Sequence, residues 1–170
     1  NTTNEVAAIS YDDVKLFNKG IAPIVRAGKL GAILMQFPPS FENNGSGRQM
    51  LQTILNTFDE YPLAVELRHK SWSDDPQTAD LLTKVNAAWV QIDEPQFNFS
   101  IGKELPSTSG MKYFRFHGRN AQDWWTGNNE TRYRHMYTEP EIQELADQIK
   151  NSAAKSQTLF AFFNNHWQRE

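Results

Sequence analysis

Tyr113-Phe114-Arg115-Phe116-His117 alternates apolar and polar residues and runs into a polar cluster, Gly118-Arg119-Asn120. In a strand, successive side chains point to opposite faces. The stretch therefore predicts a strand with Phe114 and Phe116 on one face and Arg115 and His117 on the other. Four other stretches repeat the pattern: Ile33-Leu34-Met35-Gln36-Phe37, Ala64-Val65-Glu66-Leu67-Arg68, Trp89-Val90-Gln91-Ile92-Asp93 and Ala161-Phe162-Phe163-Asn164-Asn165. Aligned by their alternation, they predict a shared apolar face of Met35, Val65, Leu67, Val90, Ile92, Phe114, Phe116 and Phe163. The opposite face carries Gln36, Glu66, Arg68, Gln91, Asp93, Arg115, His117 and Asn164. Charged side chains are rarely buried unless paired, so a polar face repeated from strand to strand marks a site.

Helical stripes separate these strands. Val14, Phe17, Ile21, Ile24 and Val25 recur at helical spacing and predict a first helix over residues 12–30. Met50, Leu51, Ile54, Leu55 and Phe58 stripe a second. A third opens at Asp75-Pro76, a cap followed by proline, with Leu81, Leu82 and Val85 on its apolar side. The last opens at Thr138-Glu139-Pro140-Glu141, spaced as a capping box, and is expected to turn Ile142, Leu145, Ala146 and Ile149 inward. Pro38 and Pro39 keep the segment after the first strand out of helix. Residues 94–111 and 118–137 read as irregular, the latter rich in aromatics: Trp124, Trp125, Tyr133 and Tyr137.

Alternating strands and helices predict an α/β fold with a mostly parallel sheet and right-handed crossovers. The central strands of an open doubly wound sheet are apolar on both faces. A polar face on strand after strand fits better the inside of a TIM-like (β/α) barrel, where polar groups converge on a narrow axis. A closed barrel of this class has eight strands, and five are readable here. The expectation is one domain over residues 1–170, the C-terminal portion of such a barrel, with N-terminal strands missing from this chain.

The composition narrows the function classes. A chain of 170 residues with 39% apolar and 12% aromatic residues can build one packed core. A net charge of −3 disfavours bulk electrostatic binding of nucleic acid. The absence of cysteine excludes disulfides, thiolate metal sites and a cysteine nucleophile. No apolar run approaches the roughly 20 residues of a membrane span. These features fit a cytoplasmic protein with no membrane partner.

Four motifs in order resemble one known family: Gln36-Phe37-Pro38-Pro39-Ser40-Phe41, the stretch from Ala64 through Arg68-His69-Lys70-Ser71-Trp72, Tyr113 through His117-Gly118-Arg119-Asn120, and Phe162-Phe163-Asn164-Asn165. Together they are similar to the domain of unknown function 72. The resemblance implies a TIM-barrel-like fold and members that begin with earlier strands. It implies no activity, because the family is named for lacking one.

In TIM barrels the active site lies at the C-terminal ends of the strands. Gln36, Arg68, Asp93, His117 and Asn164 fall at such ends, with Glu66 and Arg115 one layer deeper. The reading that follows is an enzyme acting on a small polar or anionic substrate, of hydrolase or lyase type, using acid–base residues. His117 would move a proton, with Asp93 or Glu66 as base or orienting group. Arg68, Arg115 and Arg119 would hold an anion. Gln36, Asn164 and Trp124 would complete the substrate contacts. No cofactor is expected; a divalent metal on Glu66, Asp93 and His117 is an alternative that the adjacent arginines oppose. A non-catalytic protein that binds a small molecule or nucleic acid at the same mouth is the other alternative, with Trp124, Trp125, Tyr133 and Tyr137 stacking on bases. The structural reading pairs Glu66 with Arg115, and Asp93 with Arg68 or His117, to neutralise the interior. His117, as a strand-tip residue, is expected to border solvent; His69 and His135 are expected at the surface or behind the site, and His166 at the mouth or the surface.

Overall fold

The computed structural model of the protein describes residues 10–126, 129–154 and 156–164. Its elements are α1 (Tyr11–Arg26), β1 (Ile33–Gln36), α2 (Gly45–Thr57), β2 (Leu63–Glu66), α3 (Lys70–Ser73), α4 (Gln77–Lys84), β3 (Ala88–Trp89), β4 (Gln91–Asp93), β5 (Met111–Phe116), α5 (Asn129–Arg132), α6 (Glu139–Ala153) and β6 (Thr158–Phe163). Capping fixes the helix boundaries. The hydroxyl of Ser10 accepts from the Asp13 amide at 3.2 Å and starts α1. The helix covers the whole apolar stripe but ends at Arg26, earlier than the expected residue 30. Gly28 adopts φ +65°, and the amides of Gly28 and Lys29 fold back onto the carbonyls of Val25 and Ile24. That is a Schellman ending, which glycine favours. Asp75 Oδ1 accepts from the Gln77 amide at 2.9 Å at the start of α4, and Thr138 and Glu141 form the expected capping box on α6.

All strand pairings are parallel, in the orders β1-β2-β3 and β4-β5-β6. β3 and β4 are two halves of one stretch interrupted at Val90, whose amide still donates to Val65 at 2.9 Å. That stretch pairs with β2 at its start and with β5 at its end, so it joins the two halves.

Register assigns the faces, because parallel partners in register share a side. Gln36 aligns with Glu66, Ile92 with Arg115, and Asp93 with Phe116. Ala88, Val90, Ile92 and Glu94 therefore lie on the face of Glu66 and Arg115. Trp89, Gln91 and Asp93 lie on the opposite, helix-facing side. This inverts the expectation for residues 89–93. The stretch carries apolar residues on both faces: Val90 packs with Ala64, Ala88 and Tyr113, while Trp89 packs with Leu63, Val65 and Leu67. Alternation gave the period of this strand and not its sign.

The main core lies between β1–β3 and the helices α2 and α4. Trp72 is fully buried there, and its indole donates to the Phe41 carbonyl at 2.7 Å. Phe37, Phe41 and Trp72 stack in series, which anchors the Pro38-Pro39 segment beside the end of β1. A second cluster packs Phe114 and Phe116 against Leu145 of α6. Ile142, in the first turn of α6, is exposed rather than inward. No helix among the described residues is long and apolar enough to cross a membrane.

Candidate functional site

The strand ends are tied together by backbone hydrogen bonds just past the sheet. The amide of Phe37 donates to Glu66, that of His117 to Asp93, and that of Asn164 to Phe116, at 3.0, 2.8 and 2.7 Å. These bonds carry the alternation of each strand one or two residues further. Side chains at the C-terminal ends are thereby set on rigid backbone.

Glu66 is the centre of the cluster. It has no exposed surface. Its Oε1 accepts from Arg68 Nε at 2.7 Å, and Arg68 Nη2 lies 2.6 Å away. Its Oε2 accepts from Arg115 Nη1, which also donates to Gln36 Oε1 at 2.6 Å. Arg68 Nη2 lies 3.1 Å from His117 Nε2, and Arg68 Nη1 lies 3.5 Å from Glu94 Oε2. The Asn164 amide sits 3.3 Å from His117 Nδ1. The rings of Trp124 and Tyr133 roof the His117 imidazole, with centroids 6.5 and 5.9 Å away. Gln36, Glu66, Arg68, Arg115, His117, Asn164 and Trp124 are thus brought together.

The electrostatics follow from burial. Burial alone would raise the Glu66 carboxyl; the Arg68 and Arg115 guanidinium groups bonded to it reverse that and hold it at about 2. Burial, with help from the Arg68 charge, lowers His117 below the ordinary imidazole range despite Glu66. Arginine can only donate, so His117 Nε2 accepts from Arg68 and the ring is neutral at physiological pH. Burial is also the main influence on Glu94, which neighbouring Glu66 and Asp93 push the same way; Arg68 offsets only part, and the carboxyl is held up at about 7. Two permanent cations thus face one permanent anion and one carboxyl that is half-ionised near neutrality.

Asp93 and Arg119 do not join this cluster. Asp93 points to the helix side, where Arg119 Nη2 lies 2.7 Å from its Oδ1 and the Tyr137 hydroxyl donates to its Oδ2 at 2.7 Å. Arg119 also reaches Glu141 and Glu144 of α6, at 3.4 and 3.1 Å. The hydrogen bond and charge of Asp93 hold Arg119 firmly ionised. Asp93, Arg119 and Glu144 border a cleft of about 280 Å³ that Glu94 and Lys103 also line. The expected pairing of Asp93 with Arg68 or His117 is therefore replaced by Arg119 and Tyr137. The alternative metal set of Glu66, Asp93 and His117 is not assembled, because Asp93 lies across the sheet from the other two. Among the described residues, no group of three or more histidine or acidic side chains is placed to hold a metal ion.

Other placements also differ. His117 does not border solvent: it is 1% exposed under its aromatic roof. Trp124 is buried, so it seals the cluster, while Trp125 is exposed against Phe97 and Phe99. Tyr137 is engaged with Asp93, which leaves Trp125 as the exposed member of the expected stacking set whose ring is turned outward. His69 caps α3, its Nδ1 2.8 Å from Ser71 Oγ. His135 is half-buried with its Nε2 3.3 Å from Glu141. Asn165 and His166 lie outside the described residues. Glu94 was missed. Its signal was the sequence Ala88-Trp89-Val90-Gln91-Ile92-Asp93-Glu94 read in the opposite phase, with the carboxylate continuing the small-apolar face up to Pro95.

Comparison with known proteins places this architecture. The family model described as "Protein of unknown function DUF72" matches residues 2–170. The UPF0759 protein YunF of Bacillus subtilis (strain 168) is 30% identical over 160 residues, which covers 88% of this chain and 57% of that protein. The crystal structure of a DUF72 family protein (TM1631) from Thermotoga maritima MSB8 is similar at TM-score 0.85 and 31% identity, over 92% of this chain and 59% of that one. A DUF72 family protein (EF0366) from Enterococcus faecalis V583 is similar at TM-score 0.85 and 27% identity, over 98% of this chain and 63% of that one. The chain thus spans less than two thirds of the length of each of these relatives. The resemblance carried by the four motifs is borne out, and the chain belongs to the DUF72 family of proteins of unknown function.

Proposed function

We propose that this protein is an enzyme acting on a small polar, anionic substrate, bound where the strands end. The strands are read as part of a TIM-like (β/α) barrel in a cytoplasmic protein, and the reaction as a hydrolase or lyase step driven by proton transfer. The reading calls on no cofactor. One observation carries it: Glu66 holds two guanidinium groups at once, which leaves the cluster one positive charge in excess whenever Glu94 is protonated. Arg115 is the outer of the two cations, and its partner Gln36 is exposed. An anion arriving there meets a guanidinium already oriented by Glu66, so little ordering cost remains. Gln36 and Asn164 offer amides to the neutral part of the substrate. Neutral His117 and the Trp124 roof keep water from the inner charges and strengthen them.

The three acid–base candidates read from the sequence are occupied. Glu66 is saturated by two arginines, Asp93 by Arg119 and Tyr137, and the Nε2 lone pair of His117 by Arg68. Their parts in this reading are to orient Arg68 and Arg115 and to fix the strand ends.

Sulfate is a suitable probe because its charge does not change near neutral pH. Calorimetric titration at low salt is expected to show one sulfate bound per chain. Arg115→Met should weaken that binding by roughly tenfold or more, the worth of a charge-assisted contact pair. Unchanged affinity in Arg115→Met, or no binding by the unaltered protein, would contradict the reading.

A further inference from the structure

Glu94 is the one carboxyl of the cluster that no hydrogen bond accounts for. Its side chain is 5% exposed, yet among the described residues its Oε2 accepts no hydrogen bond. Buried polar atoms are nearly always paired, so an orphan of this kind calls for an explanation. Neutralising Arg68 is not a sufficient one. Glu66, which does that work, sits at 2.6–2.7 Å from Arg68 in a multiply bonded contact, whereas Glu94 stands off at 3.5 Å. A carboxylate buried without hydrogen bonds is costly, and the same group as a neutral acid costs far less. Among the described residues, the Glu94 carboxyl makes no hydrogen bond that would fix the O–H of a neutral acid.

We propose that Glu94 is the proton-carrying group of this site: it meets the bound anion as a neutral acid and donates its O–H to an oxygen of that anion. The inference rests on the anion-binding reading above and names the residue that supplies its acid–base chemistry. Arg68 is the hinge of the argument. With the anion on Arg115, a new negative charge joins the cluster that Arg68 shares with Glu94 and Glu66. That charge favours its protonated form. In a hydrolytic step, water adds to the atom that the departing oxygen leaves, the Glu94 O–H proton moves to that oxygen, and the carboxylate left behind faces Arg68. That carboxylate takes its proton back from the attacking water, which restores the neutral acid.

The charged groups facing Glu94 come from several elements. Arg68 follows β2, Glu66 ends β2, Asp93 ends β4, and neutral His117 follows β5. Lys103, Arg119 and Glu144 line the cleft beyond it. Arg68 and Arg119 stay cationic near pH 7, Glu66 stays anionic and burial favours the neutral His117 ring, so comparison with Glu94→Gln assigns a transition there to Glu94.

The test uses the full chain and sulfate. Affinity measured between about pH 6 and pH 9 is expected to fall by roughly tenfold per pH unit above about 7, because binding then takes up one proton. Glu94→Gln should bind sulfate with the affinity the unaltered protein has at low pH, and should not depend on pH, since the amide is a permanent neutral donor. Proton uptake can also be read without any variant, from the heat of binding in two buffers of different ionisation enthalpy; close to one proton per sulfate at about pH 8 is expected. Binding that loses affinity with pH equally in Glu94→Gln, or that takes up no proton, would overturn the role of Glu94 while leaving the anion site standing. Absence of sulfate binding at every pH would overturn the anion site itself and this inference with it.

Discussion

Glu66→Ala is expected to lower the stability of the fold by about 3–5 kcal/mol near neutral pH, read from urea unfolding, because it strands two buried arginines at once. Arg68 would keep neutral His117 and a half-ionised Glu94 at 3.5 Å, and Arg115 would keep the Gln36 carbonyl. Neither side chain has much room to reach water: their side-chain exposures are 8% and 13%. The pH dependence separates lost charge from lost packing. The Glu66 carboxyl is held at about 2 in the folded state against an ordinary 4.5. Its contribution is therefore fully present above about pH 4.5 and disappears as pH falls towards 2. The gap between the unaltered protein and the isosteric Glu66→Gln should close over that interval. A cost below about 1 kcal/mol would show that both arginines find water or other partners, and that no buried cluster exists.

Glu94→Gln is expected to do the opposite and stabilise the fold at alkaline pH. A carboxyl that titrates at about 7 in the folded chain and near 4.5 when unfolded binds more protons in the folded state between those values. Stability therefore falls as pH rises through that window and levels off above it, by about 3 kcal/mol in all. Glutamine has no such transition. The two proteins should differ little near pH 4, and the variant should be the more stable by about 2–3 kcal/mol at pH 8. Residues kept at the expense of stability are characteristic of functional sites, which is the meaning a gain at this position would carry. Equal pH profiles for the two proteins would show that Glu94 titrates as an ordinary surface acid.

The two carboxylates sit one strand apart, share Arg68, and are pushed in opposite directions. The reason is multiplicity of partners: Glu66 has two hydrogen-bonded guanidinium groups, and Glu94 has one distant one. Pairs of acids driven apart in this way are the usual arrangement where one must stay charged and the other must carry a proton.

Much of this was legible in the residues. The α/β class, the parallel order and the strands around Met35, Val65, Phe114 and Phe163 follow from alternation and helical spacing, and the Thr138–Glu141 capping box from its local chemistry. The convergence of Gln36, Glu66, Arg68, Arg115, His117 and Asn164 follows from the same alternation, because those strands are apolar on one face only at their C-terminal ends. The stretch at 88–94 resisted it. Trp89 fills one side and Val90 and Ile92 the other, so its period is clear and its sign is not. That one ambiguity put Asp93 into the site and left Glu94 out. The fate of Arg119 depended on Glu141 and Glu144, which belong to α6 and meet it only after folding. The burial of His117 depended on Trp124 and Tyr133, which reach it from an aperiodic loop where spacing carries no information.

The most direct test of the central claim is a carbon-13 NMR titration of the glutamate side-chain carboxyls, with Glu66 and Glu94 assigned by substitution. The account expects Glu94 to titrate with a midpoint near 7 and Glu66 near 2. Two midpoints together in the ordinary range, near 4.3 for glutamate, would contradict it.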